Sequence, residues 1–163
     1  LGIIVEEVLA NLNDVIKEKE ANIELLEMCE ADVIVFQFRQ LMHNLISNAL
    51  KFSKPGEKPH IKIKSRIEKG SELNVKDLLP DKKYCHISVS DNGIGFDEKF
   101  NEKIFEVFQK LHSKDEYPGT GIGLATVKKI VTHHNGEIFV DSAINKGTTF
   151  DIYIPLNDTK PAQ

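Results

Sequence analysis

The sequence predicts an α/β domain, a two-layer sandwich in which a mixed or mostly antiparallel five-stranded sheet packs against about three helices. Three observations predict it. Apolar residues recur at helical spacing in three segments, as in helices laid against a core. Five shorter segments read as strands, the clearest alternating apolar and polar residues. Their order is helix, strand, helix, two strands, a long irregular stretch, helix and two strands, with no internal repeat.

Residues 3 to 19 form the first expected helix, with Ile4, Val8, Leu12 and Val15 on one face and a solvated Lys17-Glu18-Lys19-Glu20 end. Asn22 to Met28 alternates weakly and reads as a strand. The central helix is expected from Phe36 to Ser53, where Phe38, Leu41, Leu45 and Ala49 make the core stripe and Met42 and Ile46 widen it. Lys54-Pro55-Gly56 stops it, since Pro and Gly both punctuate helices. His60 to Ile67 alternates, with Ile61, Ile63, Ser65 and Ile67 inward and Lys62, Lys64 and Arg66 in water. The polar residues 69 to 82 read as an elaborated hairpin connection to the strand Tyr84 to Asp91. Residues 92 to 120 show little periodicity beyond a helical piece near Glu98 to Phe105. Such a stretch in a small domain is usually functional or mobile. A helix from Thr120 or Gly121 to His134 follows, with Gly136 expected as its left-handed cap. Glu137 to Ser142 and Thr149 to Pro155 are the last strands. Residues 1 to 156 make the domain, and 157 to 163 a polar, fraying tail.

The composition bounds the function. At 163 residues the chain fits one domain, and a net charge of -4 gives no blanket attraction to nucleic acid. Cys29 and Cys85 form no ligand-like pair. Neither a zinc site nor a disulfide is indicated, and a reducing compartment suits the chain. No apolar run reaches the roughly 18 residues needed to span a bilayer. The first residues are amphipathic and acidic rather than signal-like, and the lack of an initial Met suits a piece of a longer protein.

Polar chemistry gathers in three places. On the central helix Gln40, Asn44, Asn48 and Lys51 make a second stripe beside the apolar one. Asn is a mediocre helix former. A side-chain amide oxygen is a hard neutral ligand suited to Mg2+, and Lys51 is placed to meet a phosphate; an ordinary polar helix face fits the same residues. Asp91-Asn92-Gly93-Ile94-Gly95 puts a carboxylate at a strand end before two glycines. It suits a bond from an exocyclic amine such as adenine N6, or a plain tight turn. Gly119-Thr120-Gly121-Ile122-Gly123-Leu124 places three glycines where a helix begins, either a backbone phosphate cradle or a hinge. It has neither the P-loop nor the dinucleotide spacing. Between the last two clusters, Phe105 to Lys114 reads as a lid or as a core-anchored loop.

NLISNALKF, DNGIGF, FEVFQKL, GTGIGL and GTTF stand in this order from residue 44 to 150. Together they resemble the catalytic, ATP-binding domain of bacterial sensor histidine kinases, in the superfamily with DNA gyrase, Hsp90 chaperones and MutL proteins. The resemblance runs from about Ile3 to Leu156 and implies the Bergerat-type ATP-binding fold. It implies Asn48 as the direct Mg2+ ligand, Asn44 as support for phosphates or the metal shell, and Lys51 on a phosphate, these three being the catalytic group. It implies Phe52 beside the adenine, Asp91 reading it, and Gly93 and Gly95 beneath the nucleotide. Phe105 and Phe108 match the lid's aromatic box, and Lys110 stands where many relatives carry Arg. Gly119, Gly121, Gly123 and the adjoining Leu124 match the phosphate-side glycine box, and Thr149 matches a residue near the adenine.

By the same resemblance, the chain transfers the ATP γ-phosphoryl group to a histidine. Family kinases carry that histidine on an upstream dimerisation hairpin, followed by an acidic residue. None of the six histidines here, His43, His60, His86, His112, His133 and His134, lies in such a segment. The acceptor hairpin and a downstream response regulator are therefore expected partners outside this chain, in a cytoplasmic setting, with the isolated domain monomeric. Gyrase- and chaperone-type ATPases place a water-activating Glu at the position matched by Asn44. An ATPase or a regulatory adenine-nucleotide module is the competing expectation.

Overall fold

The computed structural model describes residues 1–107, 109–111 and 119–157. Phe108, the His112 and Lys114 part of the expected lid, and most of the expected tail lie outside these residues. The elements are α1 (Gly2–Asn11), α2 (Asn13–Glu18), β1 (Asn22–Leu25), α3 (Val35–Lys51), β2 (His60–Lys69), β3 (Lys83–Asp91), α4 (Gly123–His133), β4 (Glu137–Ala143) and β5 (Gly147–Pro155). The strands form one five-stranded sheet in the order β1-β2-β3-β5-β4. Only β1 and β2 run parallel; the other neighbours are antiparallel. The mixed sandwich expected from the sequence is the fold observed.

One sheet face is dry. Ile61, Ile63, Ile87, Val89, Ile152 and Ile154 point from the three central strands into the helices and are buried. Helix α3 answers with Phe38, Leu41, Leu45, Ile46 and Leu50, and α4 with Val127 and Val131, so its stripe is the centre of the core. Burying such a side chain is worth about 1.5–3 kcal/mol each, which holds α3 in place despite its polar second stripe. Helices α1 and α2 run alongside α3 in the same direction: Arg39 reaches Glu7 at 2.5 Å and Lys19 reaches Ser53 at 3.3 Å. On the opposite face the 70–82 connection folds over the sheet, burying Leu78 with Tyr84 and Tyr153.

Several elements depart from expectation. The first helix breaks at Leu12, whose φ of -95° and ψ of 5° part α1 from α2. The break turns Leu12 into the core, where it is buried, and leaves Val15 at the surface. Strand β1 ends at Leu25, although Leu26 N–H still donates to Ile63 O at 2.9 Å. Ile67 is 51% exposed, because β2 outruns the helices that cover its start. The helical piece near 98 to 105 is two short 3-10 turns, Glu98–Phe100 and Lys103–Phe105. At the end of α4 the left-handed residue is Asn135, with φ 55°, not Gly136. Asn tolerates that region. Gly136 is needed for a different reason, since a Cβ there would sit 2.5 Å from the Tyr153 carbonyl oxygen.

One further correction concerns side chains. Cys29 and Cys85 form a disulfide. They are distant in sequence, and the path of the β1–α3 connection under the sheet brings them together. His134 bridges two helices. Its Nε2 accepts the Ile34 N–H at 3.0 Å, so Nδ1 carries the proton and donates to the Ile130 carbonyl at 2.8 Å. The imidazole thereby ties the end of α4 to the start of α3.

Candidate functional site

The site forms where the C-terminal half of α3, the end of β3 and the start of α4 converge. Asn44 and Asn48 lie one turn apart, and Lys51 and Phe52 finish the helix. The Phe52 carbonyl accepts Ile94 N–H at 2.9 Å. The helix end is thus joined to the loop that follows β3.

That loop is tightly wedged. Asp91 Oδ1 accepts the Gly93 N–H at 2.8 Å, and Asn92 accepts His60 N–H at 2.7 Å and donates to Lys58 O at 3.2 Å. Gly95 (φ 58°) and Gly147 (φ 90°) face each other across the β4–β5 turn. A Cβ on Gly95 would lie 2.0 Å from the Ala143 carbonyl oxygen, and one on Gly147 2.0 Å from that of Asp91. Both positions therefore demand Gly twice over, for φ and for space. Asn145 N–H closes the contact on Ile94 O at 2.7 Å.

The chain then reaches the helix start. Gly121 has a φ of 73° and α4 begins only at Gly123, later than the sequence suggested. Helix α4 has no side-chain cap, so the first-turn N–H groups have no partner within the helix. Asn44 Nδ2 donates to the Gly123 carbonyl at 3.2 Å and joins α3 to this helix start. Lys110 Nζ donates to the Gly119 carbonyl. Lys51 Nζ lies 4.8 Å from the Phe52 ring centroid and 2.3 Å from where a Gly119 Cβ would stand.

These groups surround a cavity of about 320 Å³, within the size of small-molecule and cofactor sites. Asn44, Asn48, Lys51, Phe52, Asp91, Gly95, Lys110, Gly119, Gly121, Gly123 and Leu124 all line it. Gly93 lies beneath the lining: a Cβ there would meet the Phe52 carbonyl oxygen at 2.5 Å. Thr149 is not at the cavity. Its hydroxyl pairs with Ser90 at 2.9 Å, and its neighbour Thr148 lines the cavity instead. Successive strand residues face opposite sides, so a one-residue offset moves the side chain through the sheet. The sequence reading also missed the apolar wall of Ile94, Phe96, Ile104, Leu111 and Phe150. Their only sequence signal was a place within or beside the DNGIGF, FEVFQKL and GTTF motifs. Phe105 packs edge-on to Phe150, with centroids 6.3 Å apart.

The electrostatics divide the cavity. Asp91 is the only carboxylate among the described residues lining it. Burial pushes its pKa up to about 6, against the pull of the Gly93 and Thr148 backbone hydrogen bonds. Burial, then the nearby Lys110 charge, lowers the pKa of Lys51. Two cations beside an uncapped helix start suit a polyanion, and a carboxylate beside an apolar wall suits a flat ring bearing an amine. No group of three or more His, Cys, Asp or Glu among the described residues could hold a metal. The amide oxygens of Asn44 and Asn48 are hard donors of the kind Mg2+ accepts when phosphates complete its shell.

Comparison with known proteins places the chain. Residues 34–158 match the family described as histidine kinase-, DNA gyrase B- and HSP90-like ATPase. The chain is 39% identical over 156 residues to the phytochrome-like protein Cph1 of Synechocystis sp., covering 95% of this chain and 19% of that protein. It is 36% identical over 121 residues to the sensor histidine kinase WalK of Bacillus subtilis, covering 73% of this chain and 18% of the relative. The chain thus spans about a fifth of the length of these curated relatives. Among solved structures, the catalytic domain of histidine kinase ThkA is similar over 95% of this chain and 91% of that one, with a TM-score of 0.71 and 26% identity. Full-length ShkA in complex with AMPPNP matches over 99% of this chain and 31% of that one, with a TM-score of 0.72 at 19% identity, a likeness of fold. With the matched span covering most of its length and the whole site, the chain belongs to the histidine kinase-, DNA gyrase B- and HSP90-like ATPase family.

Proposed function

We propose that the chain is the catalytic domain of a protein-histidine kinase, which binds ATP with Mg2+ and passes the γ-phosphoryl group to a histidine outside this chain. Asp91 accepts a hydrogen bond from the adenine amine, with Phe52 and the apolar wall against the ring. Lys51, Lys110 and the N–H groups opening α4 hold the phosphates. Asn48 is the direct metal ligand, and Asn44 keeps α3 against α4 while its amide oxygen faces the same ions. A bound Mg2+ would neutralise charge on the phosphates; the residues of the chain align and orient them. The acceptor is a dimerisation hairpin of a longer protein that hands the phosphoryl group to a response regulator. A cytoplasmic setting follows from the use of ATP.

The observation that carries this reading over an ATPase is Asn44. Among the described residues the lining holds one carboxylate, Asp91, and its Oδ1 is already bonded to Gly93. No carboxylate among the described residues beside Asn44 is then free to activate water, and general-base help is worth typically about 10²- to 10⁴-fold. With radiolabelled ATP, the chain alone should hydrolyse little and not label itself on histidine. Adding a kinase hairpin bearing His and an acidic neighbour should give acid-labile, alkali-stable label on that hairpin. Asn48→Ala should abolish it. Vigorous turnover without transfer would replace the kinase reading with an ATPase.

A further inference from the structure

The Cys29–Cys85 bond lies outside the nucleotide cavity. Cys85 sits on β3 and is fully buried, while Cys29 is half-buried in the connection between β1 and α3. The connection has anchors of its own. Cys29 N–H donates to Ser65 Oγ at 2.8 Å, Ser65 N–H to Glu27 O at 2.7 Å, and Leu26 N–H to Ile63 O at 2.9 Å. Next to Cys29, Met28 packs at the start of α1, its Cβ 3.7 Å from where a Gly2 Cβ would stand. These hydrogen bonds are separate from the sulfur–sulfur bond and place Cys29 beside β2 and β3.

The crosslink spans 56 residues and encloses all of α3 and β2. It does not hold the cavity, because α3 is fixed by Leu41, Leu45, Ile46 and Leu50 in the core. What it restrains is the β1–α3 connection and, through Met28, the first turn of α1. Where ATP is used, thiols are kept reduced, and the disulfides found there are mostly transient or redox-sensing. This step rests on the kinase reading above, which puts the chain in that compartment.

We propose that Cys29 and Cys85 form a reversible thiol–disulfide site, opened by small or protein dithiols that attack at Cys29, the accessible partner. A reagent thiolate bonds to Cys29 Sγ, the Cys29–Cys85 bond breaks, and Cys85 leaves as a thiolate that takes a proton from water. The reagent's second thiolate then attacks its own sulfur in the mixed disulfide and releases Cys29 as a thiolate, which is protonated in turn. The protein gains two electrons and the dithiol is oxidised to its disulfide. Reduction loosens the β1–α3 connection and the start of α1 and leaves the nucleotide site formed.

The test takes the native chain through dithiothreitol redox buffers without nucleotide. Alkylation with mass spectrometry counts free thiols, melting reports stability, and hydrogen exchange reports each segment. Native reduction should free both thiols, lower Tm by on the order of 10 °C and speed exchange in residues 26–34 but not in β3 or β5. Reoxidation should reverse all three, and Cys29→Ser should melt low and ignore the buffer. Two free thiols under oxidising buffer would overturn the proposal. So would a bond that dithiothreitol opens only after denaturation, which would make it a fixed staple. The thiol count needs no ATP, so failed phosphotransfer with intact redox cycling would count against the kinase reading alone.

Discussion

At the residue scale, Asp91 carries the sharpest tension between stability and function. Its pKa rises from 3.8 to about 6 on folding, chiefly through burial. A raised carboxyl pKa means that the folded state holds a proton the unfolded state has lost. Stability therefore falls as pH rises through that window, and the ionised form costs roughly 3 kcal/mol at neutral pH. Asp91→Asn should raise the Tm of the nucleotide-free domain while weakening ATP and ADP tenfold or more by calorimetry. In the native protein, adenine-nucleotide affinity should fall below about pH 6, up to tenfold per unit, because only the carboxylate accepts freely from an amine. Affinity that stays level from about pH 5 to 7 would remove Asp91 from base recognition. Gly95 and Gly147 belong to the same account, since their close approaches set the backbone that carries Asp91.

At the element scale, three strands are pinned on the outer face of the sheet by one imidazole. His86 on β3 meets Glu68 of β2 through Nδ1 and Asp151 of β5 through Nε2, both at 2.7 Å. Its ring stacks on Tyr153 with centroids 4.5 Å apart. Burial alone would lower its pKa, but the bonds and charges of Asp151 and Glu68 outweigh it and raise the value above 6.5. Both ring nitrogens face carboxylates, so the bound form is the imidazolium. Its stabilisation is complete below pH 6.5 and is lost as pH rises through the raised folded value. Tm should accordingly fall as pH rises above 6.5 and through the raised folded value, and His86→Gln should flatten that limb. A native Tm as level as the variant's across that range would show that the imidazolium contributes nothing. The loop after β3 and the β4–β5 turn interlock in the same manner, each shaped by the other rather than by its own residues.

For the molecule as a whole, the helices cover most of the inner sheet face and the 70–82 connection buries Leu78, Tyr84 and Tyr153 on the outer one, leaving Ile67 and Phe139 exposed at the margins. The chain should therefore stay mainly monomeric in isolation. Light scattering over a concentration series checks this, and a stable dimer would refute it. No helix of the described residues is long and apolar enough to cross a membrane.

What the sequence determined by itself was the sandwich, the α3 stripe and the motifs around the cavity. Helical and strand periods are local, and they survive in residues such as Leu41, Leu45, Ile61 and Ile63, each buried as its spacing required. The order of five short motifs was legible for the same reason. The tertiary structure alone decided the rest. Thr148 rather than Thr149 faces the cavity because strand register, set by pairing with β3, chooses the side. Asn135 takes the left-handed turn, and Gly136 is needed instead for space, because the Tyr153 carbonyl from β5 packs where a Cβ would stand. Cys29 and Cys85 meet because a connection without periodicity crosses beneath the sheet. Each of these depends on contacts between residues far apart in the chain, which composition and local spacing do not encode.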